Sequence, residues 1–69
     1  MEMKITFDKE ADAAYIYLKE ISPGEIVKTI SLNDSVNIDL DSENRTIGIE
    51  ILDASKNLPS NALSSAILI

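Results

Sequence analysis

Asp8, Glu10 and Asp12 place three carboxylates within five residues, beside Lys9, and oxygen ligands at that spacing could hold a hard divalent ion weakly. The same residues suit a turn, because an Asp side chain accepts hydrogen bonds from the backbone N–H groups that follow it. A second acidic set, Asp39, Asp41, Glu43 and Glu50, falls at positions one, three, five and twelve of a twelve-residue calcium loop. That loop requires glycine at its sixth position and a helix on either side. Asn44 stands there instead, and both flanks alternate with the period of a strand. The set therefore reads as the wet face of a hairpin, with Asp39 and Glu50 diagonal upon it. Tyr15 and Tyr17, the only phenols, share one strand face at i and i+2, and without a base or cofactor beside them they read as packing or dimer-contact residues.

The chain has no histidine and no cysteine, so it lacks an imidazole base, a thiol nucleophile and the usual zinc ligands. Paired carboxylates act as acid and base only in a cleft that drives their pKa values apart, and 69 residues leave little volume for one. The protein is therefore read as a non-enzyme, with no catalytic residue and no cofactor. A weak metal or small-ligand site at Asp8, Glu10 and Asp12, or at Asp39 and Glu50, is kept as an alternative.

Alternation supplies the elements that must position these groups. Met3, Ile5 and Phe7 oppose Lys4 and Thr6, a half-buried strand over residues 3–7. After the acidic turn, Ala14, Ile16 and Leu18 oppose Tyr15 and Tyr17, a strand apolar on both sides and hence central or covered. Ser22-Pro23-Gly24 marks a reversal. Residues 25–32 form a third strand whose buried face is read as Ile26, Ile30 and Leu32, and Asn33-Asp34-Ser35 turns into the next. Val36, Ile38 and Leu40 then alternate with Asn37 and Asp39, and Ile47, Ile49 and Ile51 with Gly48 and Glu50. The resulting hairpin sets Leu40 against Ile47, Ile38 against Ile49 and Val36 against Ile51. On its outer face Gly48 lies opposite Asp39, a bare patch that Tyr15 or Tyr17 could cover, or a tolerated edge glycine.

Asp53 is a candidate N-cap for a short turn over residues 54–57, and Pro59 suits the first turn of a C-terminal helix whose Leu63, Ala66 and Ile67 share a face. The apolar tail Ile67-Leu68-Ile69 is a docked helix end, a last strand, or a partner-binding segment. The fold expected is one α+β domain over residues 1–69: a meander-like antiparallel sheet of about five strands with a short C-terminal helix on one face.

Twelve acids against six bases give a net charge of −6, the wrong sign for direct nucleic-acid binding. No basic leader with an apolar core and no run of about 18 apolar residues stands out, so a cytoplasmic protein with no membrane contact is expected. Without disulfides or a metal, a domain this short gains stability most readily by self-association. A homodimer is expected, its contact residues drawn from Tyr15 and Tyr17 or from Leu63, Ile67, Leu68 and Ile69.

The segments MKITFDKEADAAYIYL, VNIDLD and above all GIEILDAS resemble the DUF2283 family of short prokaryotic proteins. Gly48 to Ser55 carries the most specific part of the likeness, and Asp8, Asp12 and Tyr15 match the family's N-terminal pattern of two Asp and an aromatic. The stretch from Asn57 onward lies outside it. The resemblance implies a small α+β domain with an antiparallel sheet and names no activity. It also implies an antitoxin-like role beside a small basic protein, because family members are often encoded next to toxin-like neighbours.

Overall fold

The computed structural model describes residues 3–69. Six strands and two short helices follow one another as β1 (Lys4–Asp8), β2 (Ala13–Tyr17), β3 (Lys28–Ser31), β4 (Val36–Leu40), β5 (Thr46–Leu52), α1 (Ala54–Asn57), α2 (Ser60–Ser64) and β6 (Ile67–Leu68). They form one sheet in the order β3-β4-β5-β2-β1-β6. Every neighbouring pair is antiparallel except β1 and β6, which run parallel. The expected α+β class with an antiparallel sheet is present, with six strands in place of about five and two helices in place of one.

The strand order departs from a simple meander. β2 pairs with β5, so the connection over residues 18–27 passes the ends of β5 and β4 before β3 begins at the far edge. Pro23 and Gly24 make the turn in that connection: Gly24 has φ 81°, and Glu25 donates its N–H to the Ser22 carbonyl at 3.0 Å. Asn33 closes the β3–β4 hairpin, its Oδ1 accepting from the N–H groups of Ser35 and Val36 at 2.8 and 2.9 Å.

One face of the sheet holds the core. Val36, Ile51, Ala14 and Phe7 line up across β4, β5, β2 and β1 by register. Phe7, Ala14, Ile51 and Ala54 are buried there, with Leu58, Leu63 and Ala66 packed against them from the helical segment. Helices of four and five residues have no stability of their own in water and persist because this face gives them something to cover. Beside that row, a second runs through five strands, Ile30, Ile38, Ile49, Ile16 and Ile5, each opposite the next. None of these five isoleucines is fully buried, because the helices end short of them.

Four local expectations are corrected. Ile26, Ile30 and Leu32 were expected inside but are 38, 43 and 66% exposed, since β3 is an edge strand remote from the helices. In the β4–β5 hairpin Ile38 faces Ile49 and Val36 faces Ile51 as expected, but Leu40 faces Thr46, because a register shift between Asp39 and Leu40 displaces Ile47. Ile67 does not continue the helical face of Leu63 and Ala66: α2 ends at Ser64 and Ile67 enters β6, opposite Thr6. Asp53 precedes α1 but caps nothing with its side chain.

The true cap comes from across the molecule. The Asp12 carbonyl accepts from the N–H of Ala54 at 2.9 Å. Its carboxylate takes the N–H of Ser55 at 3.0 Å and the Ser55 hydroxyl at 2.7 Å. Asp12 thereby satisfies helix donors that local sequence would have left to Asp53.

Candidate functional site

The face opposite the helices is polar, and alternation along each strand fixes which residues reach it. Register draws two rows across it. Thr29, Asp39, Gly48, Tyr17 and Lys4 form one; Ser31, Asn37, Glu50, Tyr15 and Thr6 form the other. Tyr15 leans from its own row onto Gly48 in the next. A Cβ at Gly48 would lie 2.6 Å from the ring carbon Cζ and 2.7 Å from Cε1, so only glycine leaves room for the phenol. From there the Tyr15 hydroxyl donates to Oδ2 of Asp39, while Thr29 Oγ1 donates to Oδ1 of the same carboxylate at 2.6 Å. Asn37 donates to Oε1 of Glu50 at 2.9 Å. Tyr17 lies with its ring centroid 4.7 Å from that of Tyr15, tilted by 55°, and Lys4 Nζ sits 4.9 Å above the Tyr17 ring.

Asp39 is 8% exposed and is held by two hydroxyl donors. Among the described residues the ion pairs are Lys19 with Glu25 and Arg45 with Asp41 and Glu43, so the Asp39 charge is met by dipoles rather than by a cation. Burial raises the Tyr15 pKa above its ordinary 10.0, and the hydrogen bond to Asp39 and the negative charge of that carboxylate raise it further. Tyr15 is therefore a neutral donor at physiological pH and unsuited to act as a base. The network links β2, β3 and β4 over the bare strip of β5, and its chemistry is that of a clamp on the sheet.

The acidic cluster is drawn apart by similar local duties. Asp8 Oδ1 accepts from the N–H groups of Glu10 and Ala11 at 3.1 and 3.2 Å, and Asp12 holds Ser55. Glu10 is exposed. Among the described residues no group of three His, Cys, Asp or Glu side chains is placed to hold a metal ion. Asp41, unremarked as a hydrogen-bonding centre in the sequence, closes the β4–β5 loop. Its Oδ1 accepts from the N–H groups of Glu43 and Arg45, and its Oδ2 from Arg45 Nε, each at 2.9 Å. Those backbone bonds, led by that of Arg45, hold its carboxyl below the usual range. Thr29 was also missed. The available signal was its odd position in β3, which puts it on the face of Asp39 once the two strands are paired.

Of the proposed contact residues, Tyr15 and Tyr17 are half-buried against Gly48, Lys4 and each other, and Leu63 is half-buried against the core. Ile67, Leu68 and Ile69 are exposed along the β6 edge. Next to them a groove of about 540 Å³ is lined by Met3, Lys4, Ile5, Ile16, Ser65 and Ile67. No helix among the described residues is long and apolar enough to cross a membrane.

Fold and polar face together define a small α+β domain whose mostly antiparallel sheet is clamped on one side by a Tyr–Asp–Thr network. The family model DUF2283, described as a protein of unknown function, matches residues 4–55, and the chain belongs to that family. No curated protein and no solved structure matches it. The matched span ends within α1, so α2 and β6 lie beyond it. Within it, the segments that carry the likeness meet in space: Tyr15 on Gly48, and Asp12 on Ser55.

Proposed function

We propose that this DUF2283 domain is a non-enzymatic protein-interaction module that self-associates as a homodimer. One observation carries the reading: apart from Leu52 at the end of β5, the exposed large hydrophobics gather at the two edges of the sheet. Ile26, Val27, Ile30 and Leu32 lie in or beside β3, and Met3, Ile67, Leu68 and Ile69 lie beside β1 or in and after β6. A sheet edge also presents unpaired backbone groups, so apolar side chains there favour the addition of another chain. The accessible surface of 4748 Å² exceeds the roughly 4,300 Å² expected of a folded monomer of this mass, as an incompletely covered sheet requires.

Light scattering on a sizing column tests this. The expected mass is twice 7.6 kDa at roughly 100 µM, with dissociation on dilution and a melting temperature that rises with protein concentration. A mass of 7.6 kDa at every concentration, with an invariant melting temperature, overturns the proposal.

A further inference from the structure

We infer that the self-association just proposed, on which this inference rests, joins the β3 strands of two copies edge to edge and antiparallel, with Ile30 facing Ile30 of the second copy across a two-fold axis. The backbone of β3 sets the geometry. Leu32 donates its N–H to the Val36 carbonyl at 2.8 Å, and strand residues alternate in the direction of their backbone groups. Lys28 and Ile30 therefore face β4, whereas Thr29 and Ser31 turn their N–H and C=O groups outward. All four residues of β3 are exposed, and no carboxylate lies within the strand.

Among antiparallel registers, one uses both outward residues in both copies. Setting Ile30 against Ile30 places Thr29 opposite Ser31 of the second copy and Ser31 opposite its Thr29, two hydrogen-bonded pairs that each exchange two backbone bonds. A shift that centres Thr29 or Ser31 on the axis forms only one such pair within the strand. Centring Lys28 sets two ammonium groups against each other, a pairing disfavoured by like charge. In the chosen register Lys28 stands opposite Leu32, and its stem covers that exposed side chain. Lys28 thus restricts which register forms, in addition to the usual action of an edge lysine against indiscriminate pairing.

The same register runs the isoleucine row of one copy into that of the other, ending on Ile30 at the join. It also leaves the two acidic bodies extending away from each other, so each net charge of −6 keeps its distance. The opposite edge offers less: β6 has two residues and pairs only with Thr6 and Phe7. Pairing β3 of one copy with the β6 edge of the next would be head-to-tail and would grow into filaments, whereas pairing β3 with itself closes at two.

Two variants test the register. The chain has no cysteine, so Ile30→Cys introduces a single thiol. Directly opposed residues that do not exchange backbone bonds have Cα atoms about 4.5 Å apart, within the span of a disulfide. Mild oxidation is expected to cross-link Ile30→Cys into a covalent dimer that retains the native circular dichroism spectrum. Thr29→Cys stays uncross-linked, its counterpart lying beyond the roughly 7 Å limit. Ser31→Pro removes an outward N–H that the sheet itself does not use, and should weaken the dimer by roughly tenfold or more while the monomer folds. If a dimer forms, yet Ile30→Cys fails to cross-link in it or links no faster than Thr29→Cys, the β3 interface is wrong and self-association by another surface stands. Growth into polymers with mass rising without limit likewise rejects the two-fold pairing. Monomers throughout reject both this inference and the reading beneath it.

Discussion

Gly48 carries no side chain, yet it decides what the polar face can be. Its missing Cβ admits the Tyr15 ring, and the ring's position is what brings the hydroxyl to Asp39. Gly48→Ala should therefore cost about 1–3 kcal/mol in urea unfolding, as steric crowding in a packed site does. In a Tyr15→Ala background the same change should cost far less, since the clashing atoms are gone, and equal costs in both backgrounds would refute the contact. Tyr15 also makes a pH prediction. Its pKa is raised in the folded state, so the stability it lends is complete below the ordinary value of 10.0 and is lost as pH rises toward the folded value. Wild type should lose stability above about pH 10 more steeply than Tyr15→Phe, as followed by unfolding at stepped alkaline pH.

Two elements depend on a single carboxylate each. Helix α1 is four residues long and begins after Asp53, whose φ of 49° is left-handed. Because Asp12 supplies the cap, Asp12→Ala should destabilise the fold by about 1–2 kcal/mol. Asp53→Ala tests only the strained backbone. Asp53→Gly, which adopts that conformation freely, should be neutral or stabilising by up to about 1 kcal/mol. Thermal melts of the three variants rank them, and a larger loss at Asp53 than at Asp12 would restore the local cap that sequence suggests. The β4–β5 loop depends on Asp41. Its carboxyl is held below the ordinary 3.8 by the N–H of Arg45 first, so its contribution is present above that value and fades as pH falls through the lower folded one. Asp41→Asn should lower stability at neutral pH and flatten the acid limb of the stability–pH curve below about pH 4, so that variant and wild type converge at low pH.

At the scale of the whole molecule, charge and apolar surface oppose each other. Two bodies of charge −6 repel, and salt shortens the range of that repulsion to about 10 Å at 0.1 M. The self-association proposed above should therefore tighten between 20 mM and 300 mM sodium chloride, roughly severalfold in dissociation constant, as measured by sedimentation. Weakening with salt would point instead to a contact built from ion pairs.

Alternation and turn chemistry in the sequence determined the α+β class, the places of the first five strands, the Pro23-Gly24 and Asn33 turns, and the pairing of Ile38 with Ile49 and Asp39 with Gly48. These are local properties: a period of two, a fixed φ, a side chain that bonds its own backbone. The tertiary structure decided what depends on residues far apart in the chain. It placed β5 beside β2, which put Tyr15 on Gly48, and it brought Asp12 to Ser55, taking the cap away from Asp53. It also put β3 at an edge, so that Ile30 and Leu32, as apolar as any core residue, face outward. Hydrophobic pattern records which side chains share a face; only the order of the strands determines whether anything covers it.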